Sequence, residues 1–203
     1  MWAWIAENSA ALSVLVSCLT ALIWIGYFQL LFISFRRQRR TRILINRGAG
    51  KGTDARCLIS NMGAEPLYVM SILATIHDGQ EQVTSEVADL HRSEKEQLGA
   101  EDRETHQGPL MSGDFMDIGR FSTLIERCAR GAGGIGDSRN VQSLHLLVIA
   151  AYGADDLSVG AERHFTVCEK DGETLVDPDS ISTTQLRSRS ERRRLERTLD
   201  TYR

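Results

Sequence analysis

VQSLHLLVIAAYGADDLSVGAERHFTVCE, residues 141–169, decides how the chain is classed. Residues 141–152 and 157–169 read as two long strands, rich in the β-branched and apolar side chains that fit a pleated surface. Gly153-Ala154-Asp155-Asp156 joins them with residues that favour turns.

Shorter runs of the same character lie upstream. Residues 41–46 (TRILIN) form a β-branched run that Gly48-Ala49-Gly50-Lys51-Gly52 interrupts. Residues 54–61 (DARCLISN) alternate with period two and end at Asn61-Met62-Gly63. Pro66 opens residues 67–76 (LYVMSILATI), apolar enough for a central strand, and His77-Asp78-Gly79 closes it, Asp-Gly being a preferred two-residue hairpin turn. The returning strand, residues 80–87, is more polar and suits an edge. Residues 90–108 are charged and irregular and read as a surface loop. In residues 114–130 (DFMDIGRFSTLIERCAR), Phe115, Ile118, Phe121, Ile125 and Cys128 recur at helical steps, with Gly131 as a stop. Gly119 weakens this helix by about 1 kcal/mol relative to alanine. Six strands with one helical insertion imply an immunoglobulin-like β-sandwich, an open α+β sheet being the alternative. The Cys, Trp, Cys spacing of antibody domains is absent, because Trp2, Trp4 and Trp24 all lie in or near an apolar N-terminal run.

That run has no charge from Asn8 to Phe35, and a bilayer core needs only about 20 apolar residues as helix. A helix over residues 10–35 would measure about 39 Å against a core of about 30 Å, so it should tilt. A cleaved signal peptide is the competing reading, and Leu15-Val16-Ser17-Cys18 imitates a lipoprotein cleavage box. Against cleavage, no cation precedes the run and its apolar section continues well past Cys18. The expectation is an uncleaved membrane-spanning helix behind a short extracytoplasmic N-terminus, residues 1–9. Ser9, Ser13, Ser17 and Ala21 recur every fourth residue, a spacing at which small side chains permit helix association and a homodimer.

The net charge of −3 conceals three blocks. Residues 36–51 carry seven cations, among them Arg36, Arg37, Arg39, Arg40 and Arg42, and no acid. Residues 52–179 hold 23 acids against 10 cations, and residues 180–203 hold seven arginines against three acids. Cations next to a span are retained on the cytoplasmic side, so the acidic β-rich domain, residues 52–179, should be cytoplasmic. The same arginines should lie on anionic headgroups of the bilayer, at about 1 kcal/mol each. In the basic C-terminal tail, Leu195, Leu199 and Tyr202 share one helical face, beside Arg192, Arg193 and Arg194. This amphipathic helix is expected to lie on the membrane, dock on the acidic domain or meet a protein partner. Nucleic acid is not expected, since no aromatic residues interleave the cations. Arginine outnumbers lysine 21 to 3, which reflects GC-rich coding and points to a bacterial source.

Motifs for chemistry are weak. Residues 131–136 (GAGGIG) fit Gly-x-Gly-x-x-Gly, but a helix precedes them and a strand follows, the reverse of a dinucleotide site. Gly50-Lys51-Gly52-Thr53 lacks the spacing of a phosphate loop. Cys18, Cys57, Cys128 and Cys168 form no close pair, which fits free thiols in a reducing compartment. No two of His77, His91, His106, His145 and His164 have local ligand spacing. His145 and His164 fall on neighbouring strands, with Cys168 nearby, yet no metal or cofactor is expected there, and no nucleophile with its base can be named. These readings converge on a bacterial inner-membrane single-pass protein whose cytoplasmic domain is a non-catalytic adaptor or scaffold. The alternative is a small-molecule sensor that signals through association of its membrane helix.

Overall fold

The computed structural model describes residues 8–38, 41–87, 106–130, 140–153, 157–170 and 172–202. The chain divides into two compact units, Met1–Arg40 and Thr41–Arg203.

Helix α1, Ser9–Gln38, dominates the first unit. Its section Ser9–Ser34 is long and apolar enough to cross a membrane, and its most apolar window buries none of its side chains. Such a surface, left in water, would forgo about 25 cal/mol for every Å² of apolar area. Two of its hydroxyls bond the helix's own backbone. Ser17 Oγ donates to Ser13 O and Thr20 Oγ1 to Val16 O, both at 2.8 Å.

The second unit is mostly β, with ten strands among the described residues, in two antiparallel sheets that form no closed barrel there. The strands are β1 Ile43–Arg47, β2 Arg56–Asn61, β3 Leu67–His77, β4 Gln82–Glu86 and β5 Gly108–Leu110. They continue with β6 Phe115–Arg120, β7 Ser143–Tyr152, β8 Val159–Lys170, β9 Glu173–Pro178 and β10 Thr184–Leu186. Helix α2 spans Phe121–Arg130 and helix α3 Arg189–Tyr202. The small sheet has the order β1-β2-β6; the large sheet runs β10-β8-β7-β3-β4, with β5 on β3 and β9 on β8. Alternate residues of both sheets meet in one apolar core, Ile43, Ile45, Cys57, Ile59 and Ile118 from the small sheet facing Ala74, Leu144, Leu146, Val148 and Phe165 from the large one.

The strand β6 corrects the sequence expectation of a helix over residues 114–130. Met116 and Ile118 are buried while Phe115 is exposed, a period of two, and Ile59 and Leu58 of β2 pair with Met116 and Asp117. Gly119, at φ +103°, sits where the β2–β6 register shifts; Arg120 still pairs with Arg56, and only from Phe121 does the chain turn helical. Phe121 and Ser122 start the helix by donating their N–H groups to Ala55 O and Thr53 O. The Asp78-Gly79 turn also differs from expectation. The register His77↔Gln82 leaves a four-residue loop, held by Asp78 Oδ1 accepting from the N–H groups of Gln80 and Glu81.

The unit does not end at Asp179 either. β10 pairs with β8, and the side chains of Thr183, just before it, and of Gln185 within it serve the free edge of β1. Ile43 N–H donates to Gln185 Oε1 at 3.0 Å and Gln185 Nε2 to Ile43 O at 2.6 Å, while Ile45 N–H donates to Thr183 Oγ1 at 3.0 Å. Arg163, 4% exposed on β8, donates to Ile45 O, to Asn46 Oδ1 at 3.2 Å and to Ser180 O at 2.8 Å, tying the two sheets and the β9–β10 connection together.

Candidate functional site

The outer face of the large sheet carries α3. A capping box starts this helix: Ser188 Oγ accepts from Glu191 N–H at 3.2 Å, and Glu191 Oε2 accepts from Ser188 N–H at 2.8 Å. Hydrogen bonding from the Ser188 side chain, and then from the Ser188 and Arg187 N–H groups, holds the Glu191 carboxyl below the usual carboxylate range. From there Leu195 drops into a small apolar cluster with Leu73, Leu147, Ile149 and Leu186, and Leu199 packs against its margin. The apolar stripe foreseen in the tail thus lies on its own domain.

Beside this cluster the β7–β8 register brings His145 directly opposite His164. Val167 N–H donates to Gln142 O, and because bonded and non-bonded pairs alternate, His145 and His164 form a non-bonded pair, whose Cα atoms lie about 4.5 Å apart. The two rings stack, with centroids 4.1 Å apart and 12° between planes. Glu162, two residues before His164, emerges on the same face. His145 Nε2 lies 3.3 Å from Glu162 Oε2, and Arg194 Nη2 of α3 lies 3.8 Å from the same oxygen. The carboxylate is at ionic distance from His145 but outside hydrogen-bond geometry, and Nε2 is buried with no hydrogen-bond partner among the described residues. Burial is the main cause holding the His145 imidazole below its ordinary pKa; His164 and Arg194 lower it further, and Glu162 opposes them. One donor atom from each of His145, Glu162 and His164 fits within 4.8 Å, a set able to hold a metal ion. A cavity of about 250 Å³ adjoins, lined by His145, Leu147, Thr75, Thr84, Thr198 and Tyr202 among others. A second, of about 420 Å³, lies between Tyr68, Met70, Glu86, Gln107 and the Leu199–Tyr202 end of α3.

The meeting of His145 with His164 was legible from neighbouring strands; the third member was not. Cys168 is four residues beyond His164, about 13 Å along the strand, and pairs with Leu175 of β9. Glu162 takes the place near the histidines, and the signal for it was the two-residue strand period. Cys57 and Cys128 are buried, which pushes both thiols up in pKa and leaves them poor nucleophiles. Cys128 Sγ instead donates to the β3 and β4 backbone at Ala74 O and Val83 O.

The other singled-out residues scatter. Ser9, Ser13, Ser17 and Ala21 are exposed along α1. Arg42 is exposed just before β1. Arg36 and Arg37 fall within α1, but their side chains, like the whole of Arg39 and Arg40, lie outside the described residues, as do the glycines of 131–136 and His91. Arg193 and Arg194 are exposed on α3 and Arg192 is half-buried. The Gly50–Thr53 fragment is bound to β9, Thr53 N–H donating to Thr174 O and Val176 N–H to Lys51 O. No family model, no curated protein and no solved structure matches this chain.

Proposed function

We propose that the chain is a single-pass protein of the bacterial inner membrane, N-terminus outside, whose cytoplasmic domain is an immunoglobulin-like β-sandwich acting as a non-catalytic adaptor or scaffold. The observation that carries the anchoring is α1, whose most apolar window is unburied among the described residues and is followed in sequence by the arginines of residues 36–42. What supports the sandwich reading is strand order. The sheets β1-β2-β6 and β4-β3-β7-β8 correspond to strands A-B-E and C′-C-F-G of that architecture, α2 lying in the E–F connection. In support of an adaptor, Met62, Met111 and Phe115 are all more than half exposed. Met62 and Met111 lie on two turns bonded to each other, Asn61 N–H to Asp114 O and Gly113 N–H to Asn61 O, and Phe115 opens β6 beside them, so one end of the small sheet offers apolar area to a partner.

A reporter fused after Arg203 tests the arrangement: activity of a cytoplasm-specific reporter, and protection of the domain from protease in intact spheroplasts, are expected. Digestion of the domain from outside would reverse the assignment. Crosslinking from membranes then compares the full chain with Met62→Ser/Phe115→Ser, and capture of the same proteins by both would remove the adaptor surface. The sensor reading draws on the two cavities along α3; it expects a metabolite that raises the melting temperature and requires Ser13 and Ser17 for signalling.

A further inference from the structure

The group His145, Glu162 and His164 is not needed to hold the sheet together. Cross-strand aromatic or β-branched pairs would serve a sheet face better. Instead the chain places two imidazoles and a carboxylate side by side and gives the buried inner nitrogen only the Glu162 carboxylate, at 3.3 Å and outside hydrogen-bond geometry. We propose that His145, Glu162 and His164 form a binding site for a borderline divalent transition-metal cation of the zinc class, water completing the coordination.

The chemistry of the donors favours that class. Imidazole with carboxylate suits zinc and its neighbours, whereas calcium and magnesium prefer oxygen alone. With bonds of about 2.0–2.2 Å, a tetrahedral ion holds its ligand atoms about 3.4 Å apart. His145 Nε2 and Glu162 Oε2 already stand at 3.3 Å. Two stacked rings cannot both aim a lone pair at one ion, so the remaining adjustment, within the 4.8 Å spread of the group, falls to His164, which is exposed and must leave its stack on His145 to bind. His145 is fixed on β7 and Glu162 and His164 on β8, so rigid backbone supplies all three. Three protein ligands leave a coordination position for water. Arg194 is the competitor: its guanidinium faces the Glu162 oxygen that the ion would take. Its side chain is 66% exposed, so it can swing into water when the ion enters. The site therefore couples metal occupancy to a contact between α3 and the sheet, whatever partner or ligand the domain serves.

The test uses the full chain in detergent, stripped with chelator and titrated with Zn2+ by calorimetry, and with Co2+ by visible absorption. One ion per chain is expected, with the d–d bands of nitrogen and oxygen ligands and no thiolate charge-transfer band. His164→Ala and Glu162→Gln should each weaken binding about 100-fold or more, since even outer partners of a metal ligand cost 10–100-fold. Arg194→Ala, also an exposed position, should tighten binding by removing the competing cation. Circular dichroism of each variant reports the fold, and His164, being exposed, leaves it intact. Absence of saturable zinc binding, unchanged affinity in His164→Ala and Glu162→Gln, or a thiolate band with Co2+ would each overturn the site.

Discussion

Leu195 of α3 sits directly on Gly160 of β8: a Cβ placed on that glycine would come within 2.7 Å of Leu195 Cδ1 and 3.2 Å of Val148 O. Leu195 is fully buried there, the one residue of its helix that is. Glycine is required at position 160 because only a strand without a side chain lets the helix approach this closely, and the close approach brings Arg194 to Glu162.

Gly160→Ala should therefore lift α3 and destabilise the domain by about 1–3 kcal/mol, the usual cost of overpacking. Leu195→Ala should cost about 2–5 kcal/mol by leaving a cavity. The double variant is expected to be more stable than the sum of the two, since the shortened side chain makes room for the new methyl. Chemical denaturation of the four proteins measures the coupling, and strict additivity would show that the two residues do not share the space.

Ser188→Ala removes the hydroxyl that accepts from Glu191 N–H and should lower α3 stability by about 1 kcal/mol. Glu191 gives the cap a pH dependence of known sign. Its folded pKa is depressed, so its support is complete above the unfolded carboxylate pKa and is lost as pH falls through the folded value. Amide exchange in the first turn of α3 should accelerate in Ser188→Ala at neutral pH and in the parent on acidification. Equal protection in both proteins at neutral pH would rule the cap out.

His145 titrates with the same sign for another reason. Burial lowers its folded pKa, so the unfolded chain binds this proton at a higher pH than the folded one. Its contribution is intact above an unfolded value of about 6.5 and declines as pH falls through the folded value, levelling off below it. His145→Gln should flatten the melting-temperature profile across that window. Superimposable profiles would mean that the imidazole is not held neutral by its surroundings.

Arg163→Met should destabilise by roughly 2–4 kcal/mol, because the backbone oxygens of Ile45 and Ser180 lose a charged donor in the interior. Urea denaturation should show a lower midpoint with the slope retained. A change within about 0.5 kcal/mol, the range of surface substitutions, would mean that water reaches those carbonyls.

How much of this was legible depended on whether a pattern was local. Alternation and turn residues placed β1 to β4, β7 and β8 close to their true bounds, because period two needs only a few neighbours to be seen. The stretch 114–130 misled because Phe115 and Ile118, three apart, fit a helical stripe as well as two strand faces; pairing with β2 decided it. Short β5, β9 and β10 carry three to six residues each, and their partners lie far along the chain. Gln185 and Thr183 carry no local pattern that marks a role, and only the nearness of β1 makes their side chains bond its edge. The capping box Ser188-Arg189-Ser190-Glu191 is a local signal, visible in sequence as Ser-x-x-Glu.

The sequence alone determined an apolar helix long enough to span a bilayer, the arginine collar after it and a mostly-β body. These follow from composition and from periods of a few residues, which neighbours along the chain enforce. Tertiary structure alone decided that the basic tail helix lies on its own domain, that Gly160 admits Leu195, and that Glu162 joins His145 and His164. Those depend on register between strands and on the space over one glycine, quantities fixed when distant segments pack and written in no single stretch of residues.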